Sequence, residues 1–183
     1  MKAIKALLTV YRVVFLTFVI IYILVALGPV AVGIRPYVVL SGSMEPTIMT
    51  GSLVYVQKAD TKALLAGMLK YKEPGEGDIV AFNQGTGDNA ITVVHRIQSI
   101  DSEGNYTMKG DNNKSADIAT IKKNQIIGNF KWSIPYLGYF TTWLQSKKGL
   151  VIAITLALIA FVSSFIGDAS DNKKARKKGN SVK

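Results

Sequence analysis

The chain has no cysteine, so disulfides, thiolate-bound zinc and a cysteine nucleophile are all excluded. It has one histidine, His95, which rules out a multi-histidine metal cage and makes that residue the only imidazole base available. Acidic residues are scarce as well, 12 against 22 basic ones, for a formal net charge of +10. An excess of that size can mark a nucleic-acid binder, so its distribution decides its meaning. Lys2, Lys5 and Arg12 open the chain; Lys173, Lys174, Arg176, Lys177, Lys178 and Lys183 close it, against Asp168 and Asp171. The segment between is close to balanced. Basic clusters placed just outside long apolar runs form the positive-inside pattern of a membrane protein, not a footprint for nucleic acid.

Two such runs are present among the 183 residues, of which 49% are hydrophobic. From Val13 to Ile34 no residue is charged, which meets the ~20 residues a helix needs to cross the hydrocarbon. A cleavable signal peptide also begins with a basic start and an apolar core, but this run is long for one, and an uncleaved anchor is the expectation. The second run, Gly149 to Gly167, lies between Lys148 and Asp168, with Ser163 and Ser164 able to bond to their own helix backbone. The expected organisation is a cytoplasmic N-terminus and first span over 1–34, an extracytoplasmic domain over 35–148, a second span over 149–167 and a basic cytoplasmic tail over 168–183. The tail, charged and nearly free of apolar residues, is expected to be disordered.

The segment between the spans reads as β-rich. Tyr37–Leu40, Leu53–Val56, Ile79–Phe82, Ile91–Ile100 and Tyr106–Met108 are short β-branched or aromatic runs separated by Gly, Asp and Asn turns. Only Ala63 to Lys70 looks helical. Trp132, Tyr136, Tyr139, Phe140 and Trp143 crowd together just before the second run. They fit either ordinary core aromatics or a collar seated at the headgroups.

Chemistry concentrates in three places. Ser41 and Ser43 flank Gly42 directly after a β-prone run, and an extended backbone would turn both hydroxyls to one face, with Pro46 stopping the strand. Taken alone, Ser-Gly-Ser is more simply a turn. His95 sits in Thr92–Ile97, where period-two alternation puts it on the face of Ile91, Val93 and Ile97 while Arg96 projects opposite. A lone histidine there is either a core residue satisfied by a carbonyl or a base for a serine. Lys109–Asp117 is a polar loop with two carboxylates, Asp111 and Asp117. One of them accepting from the imidazole would fix its tautomer and stabilise the imidazolium. An Asx-rich turn is the plainer alternative, and a calcium loop is weak because the EF-hand spacing and terminal glutamate are missing. Ser41 could donate to a developing oxyanion beside the Ser43 N–H.

In this order the boxes SGSMEPT (Ser41–Thr47), GDIVAF (Gly77–Phe82), VVHRI (Val93–Ile97) and KGDNNKSAD (Lys109–Asp117) resemble those of the type I signal peptidases. The resemblance runs from Tyr37 to about Leu137. It leaves aside a Lys/Leu-rich stretch between Ser52 and Gly77. His95 next to Arg96, where the bacterial housekeeping branch has lysine, places it with the endoplasmic-reticulum-like branch that also occurs in archaea and some Gram-positive bacteria. The resemblance implies a mainly β fold, a small all-β catalytic domain of antiparallel sheets between two transmembrane helices. It implies Ser43 as nucleophile, His95 as general base and Asp117 as the carboxylate that orients it, with Asp111 supporting the loop and Ser41 at an oxyanion position. It further implies a membrane-bound serine endopeptidase, without metal or organic cofactor, that cleaves signal peptides from preproteins emerging from the translocon. The lipid bilayer is a partner and nucleic acid is not. From another class, the alternative is a non-catalytic membrane-anchored β-domain serving as scaffold or assembly factor.

Overall fold

The computed structural model describes residues 2–58, 71–85, 87 and 90–180, and the side chains of the last helix as far as Ser163. Helix α1 runs from Lys2 to Leu27. It stops where the sequence supplies Gly28-Pro29, which open a 3-10 turn, Gly28–Val32, closed by Gly33 at φ +88°. Proline has no N–H to continue the helical ladder, and the left-handed closing position suits glycine. The charge-free run to Ile34 is therefore divided. Ile34 is not in the helix: it begins a strand and is buried in the core of the domain. Among the described residues, one helix, Ala3–Val32 including the 3-10 turn, is long and apolar enough to cross a membrane.

The strands are β1 (Ile34–Val38), β2 (Leu53–Lys58), β3 (Ile79–Gln84), β4 (Ile91–Ile100), β5 (Tyr106–Lys109) and β6 (Ile126–Ile134). They form one antiparallel sheet in the order β1-β2-β6-β3-β4-β5. Every run read as β-prone is represented. β1 starts earlier than Tyr37 and takes in Pro36, which is tolerated because β1 is an edge strand paired only with β2. The sequence reading misses β6, and this strand lies in the middle of the sheet. Its sequence IIGNFKWSI breaks the alternation at Gly128-Asn129, and the register slips on either side of that pair: against β2 between Tyr55 and Val56, where Lys131 is passed over, and against β3 between Ala81 and Phe82, where Ile127 is passed over. A Cβ on Gly128 would run into the Gln57 carbonyl, so only glycine lets β2 close on β6 at this point.

Alternation along the strands builds cores on both faces. Val80, Phe82, Ile97, Tyr106, Met108, Ile121 and Ile126 form one buried cluster. Met44, Ile48, Val54, Val56 and Ala81 form another, and Ile34, Leu53 and Tyr55 a third. In the third cluster the fully buried Tyr55 donates its hydroxyl to the Val25 carbonyl at 2.7 Å and stacks on Trp132 with ring centroids 5.0 Å apart. Trp132, Tyr136 and Tyr139 are exposed, which removes the core reading for these aromatics.

After β6 come α2 (Leu137–Gln145) and α3 (Lys147–Asn180). The described apolar part of α3, to Ser163, meets the length needed for a span only when joined with α2. The helix continues through the charged segment to Asn180, where the sequence reading expects disorder. Extending an existing helix adds one hydrogen bond per residue without a new nucleus, and Ala, Lys and Arg are good helix formers. The expected helix over Ala63–Lys70 lies outside the described residues.

Replacing Tyr55 with phenylalanine removes one buried hydrogen bond and leaves the Val25 carbonyl without that donor. The expected cost is about 1 kcal/mol, read as a fall of several degrees in the thermal unfolding midpoint of the purified chain in detergent.

Candidate active site

Ser43 lies in a turn, not on the extended segment the sequence reading expects. The turn is held from within by Glu45 N–H donating to the Gly42 carbonyl at 3.1 Å and Ile48 N–H to that of Met44 at 2.9 Å. It is held from below by Met44 and Ile48, both buried against Val54, Val56 and Ala81. At its far end the Glu45 carboxylate accepts from Thr50 Oγ1 at 2.6 Å and Thr50 N–H at 3.1 Å, bonds that hold its pKa below the ordinary carboxylate value. The two serine hydroxyls still meet, 3.4 Å apart. Side-by-side placement therefore comes from the turn and not from strand pleating.

His95 stands on β4 directly across from Val80, on the face that carries Ile97 and the partly buried Val93. It is 6% exposed, and its ring lies 6.1 Å from that of Phe82. Its Nε2 is 3.0 Å from Ser43 Oγ, a residue 52 positions away in sequence, and its Nδ1 is 2.7 Å from Asp117 Oδ2. A carboxylate only accepts hydrogen bonds, so the proton is assigned to Nδ1, and Nε2 presents a lone pair to the serine hydroxyl. Asp117 reaches this place because its own N–H donates to the Met108 carbonyl at 2.8 Å, folding the loop back beside β5. Among the described residues, the recorded partners of the Ser43 hydroxyl are His95 and Ser41, and no lysine nitrogen is one of them.

Asp111 bonds to side chains from other segments of the chain. Its Oδ1 accepts from Arg96 Nε at 2.9 Å, and its Oδ2 from Arg96 Nη2 at 2.7 Å and from Thr47 Oγ1 at 2.6 Å. Arg96 also donates through Nη1 to the Gly77 carbonyl at 2.8 Å. The loop is thus fastened to both the serine turn and the histidine strand. The paired guanidinium is the main cause that keeps the Asp111 pKa below its ordinary value, while partial burial opposes it. Gly110, just before it, approaches so closely that an added Cβ would sit 2.5 Å from the Ser43 carbonyl oxygen.

The profile of the family "Signal peptidase, peptidase S26" matches residues 12–101. The chain is 34% identical over 125 residues to the signal peptidase complex catalytic subunit sec11 of Schizosaccharomyces pombe, covering 58% of this chain and 65% of that protein. It is 30% identical over 129 residues to the corresponding SEC11 subunit of Zygosaccharomyces rouxii, covering 64% and 70%. The chain belongs to the signal peptidase family. Signal peptidase I W of Bacillus subtilis is similar at 33% identity over 132 residues, covering 67% of this chain and 63% of that protein. The chain thus spans about two thirds of the length of these curated relatives. The family match takes in Ser43 and His95 and ends before the acidic loop, so the position of Asp117 rests on the geometry above.

Three residues at the site of this signal peptidase family member are given no part in it by the sequence reading. Thr47 closes the serine box onto Asp111, Arg96 bridges two segments, and Asn112 bonds to the turn through both its backbone and its side chain. For Arg96 a signal was available, since a basic residue beside the base position invites a search for a carboxylate partner.

Because the folded-state pKa of Asp111 is depressed, its pairing contributes stability that is fully present above the unfolded value of about 3.9 and is lost as pH falls through the folded value. Asp111→Asn should therefore lower the melting temperature at neutral pH and flatten its decline below about pH 4. Melting curves of wild type and variant from neutral pH down to pH 3 check this; parallel curves would show that the Arg96–Asp111 pair does not govern the acid limb.

Proposed function

We propose that the chain is a membrane-bound serine endopeptidase that cleaves N-terminal signal peptides from exported preproteins through an acyl-enzyme. The observation that carries this reading is the continuous relay from Ser43 Oγ to His95 Nε2 at 3.0 Å and from His95 Nδ1 to Asp117 at 2.7 Å, within a chain of this family. In the proposed reaction His95 takes the hydroxyl proton as Ser43 Oγ attacks the scissile carbonyl, and Asp117 stabilises the imidazolium. The imidazolium then protonates the departing amine, which is the new N-terminus of the mature protein. Water, deprotonated by the same imidazole, releases the signal peptide from Ser43. Ser41 Oγ and the Ser43 N–H are the proposed oxyanion donors.

The sheet supports an extended substrate. β5 pairs with β4 only from Arg96 onward, so the half of β4 from Ile91 to His95 has β3 on one side and no strand on the other among the described residues. A peptide added along that edge would bring its carbonyl up to Ser43 while its apolar helix stays in the bilayer. Small residues at the −1 and −3 substrate positions, delivery by the translocon, α3 as a second span and both termini in the cytoplasm complete the reading.

Membranes carrying wild-type protein should cleave a panel of preproteins, and those carrying Ser43→Ala or His95→Ala should not. Asp117→Asn should remain folded and lose on the order of 10⁴ in rate, as the wrong imidazole tautomer does in the trypsin-type triad. Undiminished cleavage in any of the three variants refutes the role given to that residue. For topology, cysteines introduced at Lys5 and Asn180 should resist an impermeant thiol reagent in intact cells while one at Glu103 labels. Labelling at Asn180 would remove the second span.

A further inference from the structure

We infer that Asn112 is a positioning residue that aims the Ser43 N–H at the oxyanion, an inference that rests on the acyl-enzyme reading of Ser43. Asn112 Nδ2 donates to the Gly42 carbonyl at 3.1 Å, and its backbone N–H donates to the Ser43 carbonyl at 2.8 Å. One residue thus grips two consecutive carbonyls of a turn 70 positions away in sequence. A trans peptide is planar, with C=O and N–H on opposite sides. Holding the Gly42 C=O toward the acidic loop therefore turns the Ser43 N–H away from it. Within the described turn that N–H has no acceptor, as a donor reserved for a developing negative charge must not.

The Gly42 carbonyl also accepts from Glu45 N–H at 3.1 Å, but that bond is internal to the turn and moves with it. The Asn112 side chain refers the same peptide to the loop that carries Asp117. It thereby sets the oxyanion donor in register with the imidazole that Asp117 orients. The missing side chain at Gly110 makes the approach possible.

The test uses the full chain purified in detergent, a synthetic signal-peptide substrate, and the variants Asn112→Asp, Asn112→Ala and Ser43→Ala. Asn112→Asp keeps the shape and the backbone bond to Ser43 but replaces the donor with an acceptor. Both Asn112 variants should lower kcat by about 10- to 100-fold, less than the ~10²–10³ of deleting an oxyanion donor itself. KM and the melting temperature should stay unchanged. Full kcat in both variants, with Ser43→Ala inactive, overturns this inference alone. So does a loss of kcat that tracks a falling melting temperature, or a change confined to KM. Cleavage that survives Ser43→Ala overturns the acyl-enzyme reading and this inference with it.

Discussion

The acidic loop and the serine turn meet backbone to backbone, where the Asn112 N–H donates to the Ser43 carbonyl beside a glycine that leaves no room for a Cβ. Ser43, His95 and Asp117 sit on a turn, a strand and a loop, and none of these segments has a local reason to face the other two. His95 and Asp117 are carried by a strand and loop joined through β5, but the serine comes from far earlier in the chain. The ion pair of Asp111 with Arg96 and its bond to Thr47 convert this one backbone contact into a three-way joint. A bidentate guanidinium–carboxylate pair is directional as well as attractive, so it fixes orientation where a lone charge contact would leave the loop free to swivel.

Much of this was legible in the sequence because the boxes are contiguous. Ser43 and His95 announce themselves by neighbours, and the strands carrying Ile79 and His95 by β-branched runs. Asp117 was separable from Asp111 only through a resemblance, since nothing in KGDNNKSAD says which carboxylate turns toward the imidazole. What escaped is what depends on partners distant in sequence. β6 escaped because Gly128-Asn129 looks like a turn until β2 and β3 are known to pair with it on both sides, with register slips at Lys131 and Ile127. The bond from Thr47 to Asp111 spans 64 positions, and no local pattern encodes it. The end of α1 escaped for the opposite reason. Apolar residues after Gly28-Pro29 look alike whether they face lipid or a domain core, and Ile34 belongs to the core.

Gly110 links the docking to the substrate edge. It ends the short β5 at Lys109 and starts the approach to Ser43, so pairing along the outer side of β4 begins at Arg96 and not at His95. Were β5 to continue past Lys109, it would cover the very edge on which an extended peptide is proposed to lie, and the loop would not reach the turn. A single residue without a side chain thus serves two demands: close packing of the loop on one side and an open strand on the other.

The two carboxylates of the loop are not interchangeable, and charge balance explains why. Asp111 is matched by a guanidinium that is always charged, and its oxygens are occupied by three donors from Arg96 and Thr47. Its negative charge is engaged chiefly by Arg96 and Thr47, and its interaction with His95 is the weakest of the influences on it. Among the described residues Asp117 has no such permanent cation bonded to it; its side chain pairs with His95 Nδ1, in a site where both side chains are nearly shielded from water. In the proposed reaction that carboxylate faces a cation once His95 takes the serine proton, at a distance where little solvent intervenes to weaken the attraction. The interaction therefore strengthens as the reaction proceeds, and only interactions stronger in the transition state than in the ground state accelerate a step. In that proposal Arg96 takes the other carboxylate out of competition, so that the structural ion pair and the reactive one fall on separate residues of the same loop.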